Sequence, residues 1–329
     1  MLLHGKNVSF IFNQYYNNGK IESMTVKKEK TALIIDGHAI LHRAYHALPF
    51  LTNRSGKPMN AIYGFFSMLL AVLKETKPKW LIICLDAPGP NFRHHMFIGY
   101  QAKRPPMEEK LASQMKPFKK TLKTTNLAVF SKAGFEADDL IGTICQKIKK
   151  KKTVKKVIIV TGDKDLMQLV DKKVSLLAPG RGISQLNEYD PQKVEEKLGI
   201  KPTQVIDFKA LMGDPSDNYP GVNGIGPKTA ADLLHKYKTL DGVYNRCGEL
   251  SENMRRKLKT NKKAAYLSQK LAKVLLDAPV EISLKKAIFS KKRIDNLKKA
   301  FEDNNFRSLV KRLEHEYNLE NTNSQMKLI

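Results

Sequence analysis

Nine acidic residues, Asp36, Asp86, Glu136, Asp138, Asp139, Asp163, Asp165, Asp214 and Asp217, stand beside predicted strand ends in a 329-residue chain of formal net charge +26. They fall in five strings, LIIDG (33–37), LIICLDA (81–87), EADD (136–139), VIIVTGDKD (157–165) and GDPSDN (213–218). A lone Asp after a strand usually caps a helix or forms a turn. Grouped carboxylates behave differently: at close range they raise one another's pKa and resist leaving water, a conflict that divalent cations resolve. Hard oxygen ligands without a Cys or His framework favour Mg2+ or Mn2+ over Zn2+. The pattern therefore points to metal-assisted chemistry.

Three of the strings have an apolar, β-rich run leading straight into Asp. Buried parallel strands look like this, and their carboxyl ends open on a ligand crevice. The fold class expected is α/β, a mainly parallel sheet flanked by helices. Residues 61–73 have apolar side chains along their whole length and read as a helix buried against the sheet. Glu136, Asp138 and Asp139 open a helix over 140–149, where acids also suit the positive end of the dipole. The connection between Asp86 and Glu136 is long, poor in strand character and rich in cations: Arg93, His94, His95, Lys103, Arg104, Lys110, Lys116, Lys119, Lys120 and Lys123. Such connections are usually functional or mobile. From Lys201 onward helices are expected at 205–212, 229–237, 262–276 and 295–318.

GVNGIGPKTA (221–230) is the second strong signal. Gly224 and Gly226 permit positive φ and close backbone approach, and Pro227 suits a first helical position. Outward N–H groups there would hold a phosphate without reading bases. The plainer reading is a tight interhelical turn. The expected organisation is a disordered extension over 1–30, with Met24 as an alternative start, an α/β unit over 31–200, a helical unit over 201–319 and a tail over 320–329.

Lys and Arg number 58 against 32 acids and the isoelectric point is near 9.8, which favours a polyanionic partner, nucleic acid ahead of membrane. The lysine run 149–152 reads equally as a solvated loop. Cys84, Cys145 and Cys247 are odd in number and lack a CxxC pair, so neither a disulfide framework nor a zinc site is indicated, and a reducing cytoplasm fits. No apolar run approaches the roughly 18 residues that span a bilayer. Residues 8–12 are too short for a signal-peptide core.

The ordered strings IIDGHAILHRAYHAL, AIYGFF, LDAPGPNFRHHMFIGYQAKR, GFEADDLIGT, VTGDKDLMQLV and ALMGDPSDNYPGVNGIGPKTA resemble the 5′ nuclease domain of bacterial DNA polymerase I and its stand-alone and phage flap-endonuclease relatives. The resemblance runs from about Thr31 to about Leu319. It implies a PIN-like, resolvase-like sheet, a helical arch over about 90–131 and a helix-hairpin-helix region that grips duplex DNA. It implies two Mg2+ ions about 4 Å apart, with Mn2+ able to substitute. Asp36, Asp86, Glu136 and Asp138 would lie around one ion with Asp139 in support, and Asp163, Asp165, Asp214 and Asp217 around the other. Arg43 would touch the substrate phosphate through its planar fork. Arg93, Lys103 and Arg104 would draw a single-stranded 5′ end through the arch, with Phe92, Phe97 and Tyr100 as candidates for base stacking. Gly221, Gly224, Gly226, Lys228 and Thr229 would hold the duplex, with K+ at the hairpin. The implied substrates are DNA with a 5′ flap, 5′ end or nick and RNA–DNA primer junctions, in replication and repair. The protein would act as a monomer at the nucleoid beside a separate polymerase and ligase, since no polymerase-sized segment follows.

One departure from the family is Gln101, in GYQAKR, where relatives usually place Lys. Gln supplies no positive charge, and Lys103, two positions on, faces elsewhere if the segment is helical. Arg93 and Arg104 would then carry more of the electrostatic work. Two other classes compete with the nuclease reading. A PIN-like ribonuclease shares the acidic crevice but needs neither the long basic connection nor the glycine hairpin, and an inactive DNA-structure-binding protein would have lost its acids.

Overall fold

Six strands, β1 (Thr31–Asp36), β2 (Trp80–Cys84), β3 (Ala128–Phe130), β4 (Lys156–Val160), β5 (Val174–Pro179) and β6 (Leu186–Tyr189), form one sheet in the order β3-β2-β1-β4-β5-β6. The computed structural model describes residues 30–180 and 186–319, so the expected extension up to residue 29, the Met24 start and the tail lie outside the described residues. All pairings are parallel except β5 with β6. Every residue of β1 and β2 is buried, which is why both read as continuous apolar runs and not as alternating ones. The chain builds outward from β1 to β3, then returns to lay β4 against the other edge of β1. That reversal makes a crevice at the carboxyl ends of β1 and β4. Asp36 ends β1, and Asp86 and Asp163 follow β2 and β4 within three residues.

Both faces of the sheet are covered. Leu33, Ile35, Leu81 and Ile83 point into a core shared with α1 (Gly37–Ala47), α2 (Asn60–Thr76), and, beyond the short α3 (Phe92–Met96), α4 (Glu109–Thr125). Ala32, Ile34, Ile82 and Cys84 face the opposite core with α5 (Ala137–Lys149) and the helices that follow β6. Those are α6 (Pro191–Leu198), α7 (Val205–Met212), α8 (Pro227–Tyr237), α9 (Leu240–Asn245), α10 (Glu252–Thr260) and α11 (Lys262–Ala272). The chain closes with α12 (Leu284–Ala287), α13 (Lys291–Asp303) and α14 (Arg307–Tyr317), the last two returning to the first core through Leu297, Phe301, Leu309 and Leu313. No described helix is long and apolar enough to cross a membrane.

Two expectations need correction. The helix expected over 295–318 is two helices, because Asn305 takes a left-handed φ of 56° between α13 and α14. The connection expected to form a helical arch over about 90–131 contains only one long helix. That helix, α4, is scaffold: Leu111, Phe118 and Leu122 are buried, with Phe118 4.7 Å from Phe65, while Lys110, Lys116, Lys119, Lys120 and Lys123 stay in solvent. Residues 98–103 are turns, with Gln101 itself at a left-handed φ of 54°.

Candidate active site

The acids meet at the carboxyl edge because each is fixed by the element it ends or begins. Asp36 caps α1, accepting from Ala39 N at 3.1 Å, and takes a second bond from the buried Thr161 hydroxyl at 2.8 Å. Asp86 accepts from Ala137 N at 2.8 Å, at the start of α5, which ties β2 to that helix. His38 Nδ1 accepts from Asp86 N at 2.9 Å and lies 3.2 Å from the Asp86 carboxylate. Asp163 Oδ1 accepts from Asp165 N at 2.8 Å, so both acids of VTGDKD share one turn. Lys209, on α7, lies 2.6 Å from Asp165 and also ion-pairs with Asp214. Asp217 accepts from Tyr100, Gln101 and Arg104, at 3.2, 3.1 and 2.9 Å. Tyr100 and Gln101 also reach Glu136, which links the two acidic groups.

Electrostatics follow from this crowding. Burial, then Asp86, pushes the Asp36 carboxyl up to about 7, and burial, then Asp163, does the same to Asp165. Glu136 also rises to about 7, through burial and despite Arg93. Asp138 and Asp163 are raised mainly by burial, Asp138 further by Asp163 and Asp36. Burial also pushes on Asp86 and Asp214, but His38 outweighs it at Asp86 and Lys209 with Ser216 at Asp214, so both are lowered. Among the described residues no three acids converge closely enough to cage an ion as they stand. The donor chemistry nonetheless fits a hard divalent cation: the groups are all oxygen, they repel one another, and an ammonium already bridges Asp165 and Asp214.

A raised carboxyl binds more protons folded than unfolded between about pH 4 and 7, so metal-free stability falls as pH rises through that window. A divalent cation competes with those same protons. Mg2+ is therefore expected to raise the melting temperature more at pH 8 than at pH 6. Thermal denaturation with and without Mg2+ at both pH values checks this, and equal shifts would contradict it.

Two expected site residues take internal partners. Arg93 is 2% exposed, and its five N–H donors are all used. They go to Leu271 O and Lys273 O at 2.9 Å, to Glu136 at 2.7 Å and to both oxygens of Asp139 at 2.8 Å. None remains for a phosphate. Asp139 is fully buried, and besides Arg93 it accepts from Glu136 N and Leu275 N, which fills its four acceptor sites and leaves none for a metal. This pair is an internal clamp that holds Glu136 and joins α3 and α5 to the end of α11.

Gly221 is likewise engaged inside the protein. It is buried, its N–H donates to Ser268 Oγ at 3.1 Å, and at φ 63° it crosses Gly213 so closely that a Cβ would sit 2.2 Å from Gly213 N. It is a crossing point, not a phosphate contact. Gly224, Gly226 and Lys228 are exposed and Thr229 half-buried, and Pro227 begins α8 with no side-chain cap on its first turn. Lys103 faces solvent, whereas Arg43 donates to Gly180 O beside the crevice. Of the stacking candidates, Tyr100 is buried and the Phe92 ring lies 6.3 Å from that of Phe135. His38, Thr161 and Lys209 escaped the sequence reading, although Thr161 stands two residues before Asp163 and Lys209 five before Asp214.

A cavity of about 510 Å3 continues from Asp163, Asp165, Asp214 and Asp217 past Lys164 and Lys197 to Pro227. Asp163, Asp165, Asp214 and Asp217 thus share one cavity with the start of α8.

Residues 31–199 match the family model of the 5′-3′ exonuclease N-terminal resolvase-like domain, and residues 200–296 that of the 5′-3′ exonuclease C-terminal SAM fold. The 5′-3′ exonuclease of Buchnera aphidicola subsp. Schizaphis graminum is 37% identical over 287 residues, covering 83% of this chain and 97% of that protein. DNA polymerase I of Caldicellulosiruptor bescii is 36% identical over 283 residues, 85% of this chain; the chain spans only 33% of that polymerase. Among solved structures, the T5 5′-exonuclease with bound zinc aligns with a TM-score of 0.62 at 21% identity, covering 88% of this chain and 98% of the other. Flap endonuclease-1 from Methanococcus jannaschii aligns at 0.57 and 18% identity, covering 89% and 93%. These likenesses show the fold. Matched from residue 31 to residue 296 by both parts of one family, the chain belongs to the 5′-3′ exonuclease family.

Proposed function

We propose that the chain hydrolyses phosphodiesters of DNA, and of RNA primers, near 5′ ends and at flap junctions, as a structure-specific 5′-3′ exonuclease and flap endonuclease. The observation that carries this reading is the continuity of the acid crevice with the exposed start of α8. One surface can hold a duplex phosphate and present another to the acids. Asp36, Asp86, Glu136 and Asp138 would hold one divalent ion, and Asp163, Asp165, Asp214 and Asp217 a second. Mg2+ held there, or Mn2+ in its place, would supply Lewis acidity for activating water and for stabilising the leaving 3′ oxygen.

The chain's own residues do the rest. Arg104 and Gln101 meet Asp217 at the mouth of the crevice and can turn to a phosphate, Arg104 with half its side chain exposed. Arg43 is steadied by Gly180 O, and Lys103 offers charge to the strand outside. The first turn of α8, with Gly226, Lys228 and Thr229, grips the duplex backbone. K+ on the hairpin carbonyls belongs to the same reading; Gly224 O already accepts from Lys257 Nζ at 3.2 Å. The same reading has the protein act as a monomer at the nucleoid, its products passing to polymerase and ligase. Comparing a 5′-flapped DNA duplex with single-stranded RNA tests the reading: cleavage of the flap to 5′-phosphate products is expected, and preference for the RNA would favour the ribonuclease alternative.

Gln101 donates to both Glu136 and Asp217, so a longer cationic side chain there would lie at the acid crevice. Losing one preorganised donor costs on the order of 10² to 10³ in rate. Gln101→Lys is expected to recover at least about tenfold in single-turnover rate with little change in affinity; a flat or lower rate would mean Arg104 already supplies the charge. Gly226 has open space at its Cβ position and an extended backbone, so Gly226→Val should fold normally. It is expected to weaken duplex binding and flatten the salt dependence of binding, because fewer phosphate contacts release fewer counterions. An unchanged salt slope would make the hairpin a structural turn alone.

A further inference from the structure

Tyr219 carries a buried hydroxyl with no part in the chemistry proposed for the acid crevice. The residue is 3% exposed and pairs with Asp214, Tyr219 N donating to Asp214 O at 3.1 Å and Asp214 N to Tyr219 O at 2.9 Å. Its ring packs with Tyr100, Leu271 and Ala272. Backbone and ring are both fixed, yet the hydroxyl has no hydrogen-bond partner among the described residues. A buried hydroxyl without a bond is costly, and Phe would fill the same space without that cost. Neighbouring Tyr100 shows the contrast, since its hydroxyl is bonded to Glu136 and Asp217 at 3.2 Å.

After burial itself, the groups that act most strongly on the Tyr219 hydroxyl are Asp165, then Asp214, Asp217 and Asp163. Their oxygens are engaged by other donors: Lys209 holds Asp165 and Asp214, and Arg104, Gln101 and Tyr100 hold Asp217. A divalent cation held by these acids would compete with such internal partners for the same oxygens. We propose that Tyr219 is a positioning residue for divalent-cation binding: its hydroxyl gains a hydrogen bond within the Asp165, Asp214 and Asp217 group when a cation joins it. The hydroxyl thereby disfavours the cation-free state relative to the bound one, and that difference is affinity. The inference rests on the metal-dependent reading of the site.

The test uses the full chain as wild type, Tyr219→Phe and Tyr100→Phe, with calorimetric titration of Mn2+ and thermal melting in EDTA. Tyr219→Phe is expected to melt in EDTA at the wild-type temperature or above, and to bind Mn2+ roughly five- to tenfold more weakly. Tyr100→Phe, which loses bonds already made, is expected to melt lower in EDTA. Unchanged Mn2+ affinity in Tyr219→Phe, or a lower melting temperature in EDTA, would overturn the proposal while leaving the nuclease reading intact. A wild-type chain that takes up no Mn2+ would overturn both.

Discussion

Asp163→Asn is expected to lower single-turnover cleavage of a 5′-flapped duplex by about 10³-fold or more while leaving junction binding within a few-fold. Asn keeps the Oδ1 that accepts from Asp165 N, so the turn survives and only the charge is lost. The phosphate grip at α8 lies on another element and should be untouched. Asp86→Asn is expected to behave alike, because Ala137 N can still be bonded by the amide oxygen. Parallel cleavage and binding measurements check this. A variant that binds as wild type and cuts within tenfold of it would remove Asp163 from the chemistry.

The other large effect is on folding. Arg93→Met leaves Glu136 facing the fully buried Asp139 without the guanidinium that bonds both. Removing one partner of a buried ion pair costs about 3–5 kcal/mol. Urea denaturation is expected to show a loss of that size, partly restored when Asp139→Leu is added, since the stranded charge then disappears with its partner. A loss under about 1 kcal/mol combined with weakened DNA binding would return Arg93 to the role of phosphate contact.

What the sequence made legible follows from physical range. Asp36, Asp86 and Asp163 could be placed because each ends an apolar run whose burial on both faces is written in consecutive residues. The start of α8 was equally local, since Pro227 marks its own helical position. The Arg93–Asp139 clamp was not legible: its partners lie 46 residues apart, and an arginine destined for burial carries no local mark. Lys209 shares that difficulty, because it reaches Asp165 only after β5, β6 and α6 have brought α7 to the crevice. Gln101 was visible as a departure in type, but its left-handed turn was not, since positive φ at a residue other than Gly depends on the contacts that hold it. The Gly213–Gly221 crossing likewise needs the fold, because a Cβ on Gly221 would meet the backbone of Met212 and Gly213, and one on Gly213 that of Tyr219 and Pro220.

The most direct measurement is cleavage of a 5′-end-labelled flapped duplex by the full chain in Mg2+, after EDTA, and after Mg2+ is restored. Expected are cuts at the junction between single strand and duplex, loss of all cleavage in EDTA with retained binding, and full recovery on restoring Mg2+. Cleavage that continues in EDTA, in protein shown to be metal-free, would contradict the role assigned to the acid crevice.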